Sequence, residues 1–169
     1  METLHWKIDP SIVKDQVYIA GPFFDTPQLE FVKEIEARLM AAGIKFFSPR
    51  STGVLIEMTP EEKKTSLAEI YGQNVWNMLT SSVMVAIIDD RDAGTIFEMG
   101  YFTALAHANK IPRRLISITQ KDHGMNVMLR QSVCAHLRGA NNLIDCVLEA
   151  LGSGPFYSDR WMDERGETW

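Results

Sequence analysis

Val83-Met84-Val85-Ala86-Ile87-Ile88, followed at once by Asp89-Asp90-Arg91-Asp92-Ala93-Gly94-Thr95-Ile96-Phe97-Glu98-Met99-Gly100, is the stretch that decides the architecture. Its unbroken apolar run has strand length and lacks the polar alternation of a sheet with one wet face. It therefore predicts a strand covered on both sides, as in a parallel sheet. A polar loop over Asp89 to Asp92 and a helix over residues 93–109 follow.

The same alternation extends in both directions. Val17-Tyr18-Ile19-Ala20 reads as a buried strand stopped by Gly21-Pro22. Thr26-Pro27 predicts a helix start, a hydroxyl N-cap before a proline, with a stripe at Leu29, Val32, Ile35, Glu36 and Leu39 and a stop at Gly43. Ile44 to Phe47 form the next strand, closed by Ser48-Pro49, and residues 51–59 a loop. Thr59-Pro60-Glu61-Glu62 has a capping-box pattern, and Leu67, Ile70, Tyr71, Val75 and Met78 are expected to be that helix's buried face. Leu115 to Thr119 is a fourth strand, and short helices are expected around 125–134 and 142–151. The prediction is an α/β fold: a doubly wound (flavodoxin/Rossmann-like) parallel sheet flanked by helices, in a single domain over 16–151. Residues 1–15 form an N-terminal arm, and residues 152–169 a tail packing on the domain or a neighbouring subunit. Ligands in such folds bind beyond the carboxyl ends of strands, which singles out the loops at Gly21 to Asp25, Ser48 to Gly53 and Asp89 to Glu98.

The 169 residues carry a net charge of −5 and are 46% hydrophobic. Acidic balance without clustered Lys or Arg argues against a nucleic-acid polymer as partner and favours a small uncharged ligand. Cys134 and Cys146 show no metal or redox spacing and read as buried apolar residues. His5, His107, His123 and His136 are not spaced for ligation, so neither a metal nor a cofactor is expected. No signal peptide or membrane span is apparent, and the expected location is cytoplasmic.

Asp92 stands where it would cap the 93–109 helix, and Gly94 lets backbone approach a ligand. Glu98, one turn further on, is either a solvated helix residue or a partly desolvated carboxylate. Its neighbours Ile96, Phe97 and Met99, with the small Gly100, Ala104, Ala106 and Ala108 suited to close helix packing, favour desolvation. That would make Glu98 a better nucleophile towards an electron-poor carbon. The buried Tyr18 hydroxyl needs a partner, and Glu98 would serve. Phe23 and Phe24 are either core or a flat surface on which a heterocycle stacks. Asn126 opens an apolar helix, where capping is the simplest role.

Together, Tyr18-Ile19-Ala20-Gly21-Pro22-Phe23-Phe24, Phe47-Ser48-Pro49-Arg50, Asp92-x-Gly94-Thr95-x-x-Glu98-x-Gly100 and Asn126-Val127-Met128 resemble the nucleoside 2-deoxyribosyltransferase family over roughly residues 16–150. The resemblance implies that Glu98 attacks C1′ of a deoxynucleoside and that a second base displaces the resulting ester, with net retention. It implies that Tyr18 positions Glu98, that Asp92 and Asn126 hold deoxyribose hydroxyls, and that Phe23 and Phe24 line the base pocket. Gly21, Gly94 and Arg50 fall in the matching substrate-binding segments. It further implies a homo-oligomer, dimer or higher, in which Asn126 comes from an adjoining subunit, and deoxynucleosides and free nucleobases as partners. One departure stands out. Asn74 occupies the place of the family's usual aspartate, and an amide can hydrogen-bond a base but cannot protonate it. Asp89 or Asp90 could substitute, or the preferred base could leave without strong acid help. The rival readings are a deoxynucleoside 5′-monophosphate N-hydrolase, for which Arg50 and Arg91 would have to offset Asp92, and a non-catalytic nucleotide-binding module.

Overall fold

A computed structural model describes residues 8–52, 59–90, 92–109, 112–121, 124–152 and 156. Five parallel strands form one sheet: β1 (Lys14–Ala20), β2 (Phe46–Phe47), β3 (Ser81–Ile87), β4 (Arg114–Thr119) and β5 (Ala135–Arg138), in the order β2-β1-β3-β4-β5. The helices are α1 (Thr26–Ala41), α2 (Pro60–Thr80), α3 (Ala93–Asn109), α4 (Val127–Ser132) and α5 (Leu143–Leu151). This is the doubly wound arrangement, and the strand order reverses between β1 and β3, where such folds open a crevice.

Side-chain alternation on the strands builds two cores. Val17, Ile19, Val83, Val85, Ile87, Ile116 and Ile118 point towards α1 and α5, where they meet Phe31, Ile35, Leu39, Leu143 and Val147. Tyr18, Met84, Ala86 and Leu115 point the other way, onto Met78 of α2 and Met99 and Phe102 of α3. Because β3 is buried on both faces, its unbroken apolar run is the physical requirement of its position. Each such side chain contributes roughly 1.5–3 kcal/mol through burial. Among the described residues no helix is long and apolar enough to cross a membrane.

Several expectations need correction. The strand after the arm begins at Lys14, with a register shift before Val17, so the last arm residues already belong to β1. Helix α1 is capped by Asp25, whose carboxylate accepts from Gln28 N at 2.9 Å, and Thr26 is its first helical residue. At the other end Gly43, at φ +69°, closes a Schellman turn: Gly43 N donates to Met40 O and Ile44 N to Leu39 O, each at 3.0 Å. Glu36, placed on the apolar stripe, is buried as half of an ion pair. The supposed buried face of α2 is half exposed, with Leu67 at 53% and Tyr71 at 59%, while Met78 is buried. On α3, Gly100 has open space where a side chain would lie, and Ala104 and Ala108 are exposed, so these small residues pack against nothing in the described chain. Strand β5 was not anticipated, and α4 is confined to Val127–Ser132.

Candidate active site

Tyr18 leaves β1 on the α3 side of the sheet, directly under the crevice. Its ring is fully buried, lies 5.6 Å from that of Phe47, and its hydroxyl donates to Glu98 Oε1 at 2.5 Å. Glu98 is reached because α3 starts just past β3 and returns over the sheet, so its second turn stands above Tyr18. Oε2 of Glu98 carries no hydrogen bond from the described residues.

Burial holds the Glu98 carboxyl up to about 7, against an ordinary 4.5; the nearby Asp92 charge adds to the rise and the Tyr18 hydrogen bond opposes it. Burial, then the charge of Glu98, pushes the Tyr18 phenol far above its usual range, so it remains a donor. Ile96 and Phe97 contribute less to this desolvation than their places in the sequence suggest, being 37% and 53% exposed, whereas Met99 is fully buried.

Asp92 caps α3. Its Oδ2 accepts from Thr95 N at 2.7 Å and from Thr95 Oγ1 at 2.8 Å. A Cβ on Gly94 would sit 3.1 Å from Asp92 Oδ2, so glycine keeps this carboxylate uncovered. Gly21 meets a different contact: a Cβ there would lie 2.9 Å from Ile87 Cδ1 and 3.0 Å from Ile87 Cβ, so a side chain would press on Ile87 where the crevice opens.

Phe23 and Phe24 stack on each other, centroids 5.2 Å apart and 28° between planes. Phe23 rests on the α1-side core, whereas Phe24 is 59% exposed. Asn74 lies one turn before the buried Met78 on α2, and its Oδ1 is buried with no donor among the described residues. Asn126 caps α4, accepting from Met128 N at 2.9 Å, and is exposed beside the exposed Val127 and Met128. It does not meet Glu98 within the described chain.

Arg50 is directed elsewhere. Its Nε donates to Glu36 Oε1 at 2.7 Å and its second terminal nitrogen to Oε2, a forked pair that fastens the segment after β2 to α1. The guanidinium is thereby paired with a buried carboxylate. Arg91 and Gly53 lie outside the described residues.

Asp89 and Asp90 are also occupied. Asp89 Oδ1 accepts from Thr119 Oγ1 at 2.6 Å and from Gln120 N and Lys121 N at 2.8 Å. Asp90 receives Lys121 Nζ at 2.6 Å and Gln28 Nε2 at 3.1 Å. Neither carboxylate is left to stand in for an acid at Asn74. Gln28 and Lys121 were missed from sequence, although Asp25-x-x-Gln28 has the spacing of a capping box and could have flagged Gln28.

A family model described as nucleoside 2-deoxyribosyltransferase matches residues 17–129. The fold is similar to a solved 2-deoxyribosyltransferase from Bacillus psychrosaccharolyticus, with a TM-score of 0.69 and 22% identity over 84% of this chain and 99% of that one. It is also similar, at a TM-score of 0.49 and 17% identity, to a conserved protein from Enterococcus faecalis, over 93% of this chain and 91% of that one. A search of curated proteins gives no match. The family match spans most of the sheet and every loop that converges on Glu98, and the chain belongs to the nucleoside 2-deoxyribosyltransferase family.

Proposed function

We propose that the protein transfers 2-deoxyribose between nucleobases by double displacement on Glu98. The observation that carries this reading is the Tyr18–Glu98 hydrogen bond, which fixes one carboxylate oxygen and leaves Oε2 to react. In the first step Oε2 forms a bond to C1′ as the glycosidic C1′–N bond breaks, its electron pair leaving with the base, which takes up a proton. In the second, a nitrogen of the incoming base attacks C1′, loses its proton, and expels the carboxylate. Two inversions give net retention.

Asp92, uncovered by Gly94, accepts from deoxyribose hydroxyls. Phe24, backed by Phe23, stacks on the base. The unsatisfied Oδ1 of Asn74 is suited to an amino or imino donor of a base, and the leaving base takes its proton by way of solvent. Asn126 is assigned to the active site of a neighbouring subunit. The exposed Phe97, Val127 and Met128 and the small residues of α3 form an apolar face that a second copy would cover.

The anionic mouth favours unphosphorylated nucleosides. Asp25, Asp90 and Asp92 lie on the loops that open there, Arg50 is held by Glu36, and Lys121 is paired with Asp90. A phosphate carrying close to two negative charges would be repelled.

Incubation with thymidine and adenine tests the proposal. Deoxyadenosine, together with a transient mass increase of one deoxyribosyl group on intact protein that is absent in Glu98→Ala, is the expected result. Free deoxyribose in place of exchange would indicate a hydrolase. If neither product forms and Glu98→Ala binds thymidine as the parent does, the catalytic reading is wrong.

A further inference from the structure

We infer that Gln28 is a positioning residue that ties the Phe23–Phe24 pair to the Asp90 carboxylate and so sets how tightly a nucleobase is held. The inference rests on the reading of Phe24 as the base-stacking surface.

Gln28 is the third residue of α1, and its own N–H is fixed by the Asp25 cap. In a capping box the side chain at this position turns back to the N–H of the cap. Here it reaches one residue further: Oε1 accepts from Phe24 N at 2.9 Å, while Nε2 donates to Asp90 Oδ2 at 3.1 Å. Asp90 is in turn held by Lys121, and the adjacent Asp89 binds the backbone at Gln120 and Lys121. The loops after β1, β3 and β4 are thus braced in series, and Gln28 carries the link to the loop after β1.

That link matters because Phe24 has little else to hold it among the described residues. Its ring is mostly in solvent, supported by Phe23 on one side, so packing does not fix its height above the crevice. A backbone hydrogen bond at Phe24 orders the loop before a base arrives and spares that ordering cost on binding. Both functions of one amide are used, one acceptor and one donor, so an isostere lacking either should fail.

The test uses Gln28→Met, Gln28→Glu, and the double variant Gln28→Glu with Asp90→Asn. Methionine matches the length without hydrogen bonding. Glutamate still accepts from Phe24 N but repels Asp90. In the double variant the polarity is reversed, because the amide introduced at position 90 can donate to the carboxylate introduced at position 28, and the net charge of the parent is kept. Each single variant at position 28 should speed hydrogen exchange at the Phe24 amide and raise KM for nucleoside and base about tenfold, with kcat changed less than about twofold. The double variant should return both readouts to within about twofold of the parent. Unaltered Phe24 exchange, unaltered KM, a fall in kcat alone, or a double variant no better than the single ones would each overturn the proposal. Phe24→Ala separates the two readings. An unchanged KM there removes the stacking surface itself, whereas a raised KM there but not in Gln28→Met removes only the role of Gln28.

Discussion

Replacing Glu98 by glutamine is expected to stabilise the protein above neutral pH while abolishing turnover. The folded carboxyl titrates near 7 and the unfolded one near 4.5. Below about pH 4.5 the group is protonated in both states, and the substitution should change little. Between these values the folded chain holds a proton that the unfolded chain has released, so rising pH erodes stability until the carboxyl ionises near 7. Above that the parent bears the full cost of a buried charge, and the glutamine variant does not. A difference of about 2.5 pH units at 1.36 kcal/mol each gives about 3 kcal/mol. For a chain of this size that corresponds to about 6–12 °C in Tm. The Tyr18 hydrogen bond is already included, since it opposes the upward shift. The assay is a set of paired melts of parent and Glu98→Gln from acidic to alkaline buffer, with transfer activity measured in parallel. The expected trace is a Tm gap that is near zero in acid, opens between about pH 4.5 and 7, and then stays constant. A variant less stable than the parent above pH 7, or a gap independent of pH, would refute the account, because Glu98 would then be a satisfied structural carboxylate.

Other outcomes follow from the same geometry. The parent's transfer rate should fall about tenfold per pH unit below about 7 as Glu98 takes up its proton. Tyr18→Phe removes the hydrogen bond that lowers this value, so the midpoint of the pH–rate profile should move upward by about one pH unit or more; an unmoved midpoint contradicts the pairing. Arg50→Ala strands the buried Glu36 charge and should cost about 2–4 kcal/mol in denaturant melts, with KM nearly unchanged. A raised KM with intact stability would instead return Arg50 to the substrate. Asn74→Asp should speed release of poorly leaving bases at least tenfold or so, measured as initial rates on several nucleosides, and no gain would mean that residue 74 does not reach the base.

Much of this was legible in the chain. The run at Val83–Ile88 and the helix over 93–109 emerged as expected, because a strand buried on both faces and a long helix are written in local pattern. The demand of the Tyr18 hydroxyl for a partner also anticipated its carboxylate. What was hidden depends on elements meeting at a distance. Periodicity shows that Leu67, Tyr71 and Met78 share a helix, but not how far along it the sheet reaches. Strand β5 is four residues containing His136 and Arg138, too short and too polar to announce itself, and its position beside β4 buries it. Arg50 finds Glu36 fourteen positions back in the sequence, past β2 and the end of α1, and Asp90 finds Gln28 of α1 and Lys121 of the loop after β4. No local signal encodes such encounters.

The C-terminal end of α2 has a mechanical consequence. The buried Arg113 guanidinium grips three carbonyls there, with Nη1 on Met78 O at 2.9 Å and Ser81 O at 2.5 Å and Nη2 on Leu79 O at 2.6 Å. That grip makes the end a fulcrum. The 21 residues of α2 extend about 31 Å, and Asn74 lies six residues, roughly 9 Å, from the pinned end. A tilt of about 10° about the pin would swing the far end by about 5 Å but displace Asn74 by less than about 2 Å. Any rotation of the helix about this pin would therefore move residue 74 far less than the N-terminal end.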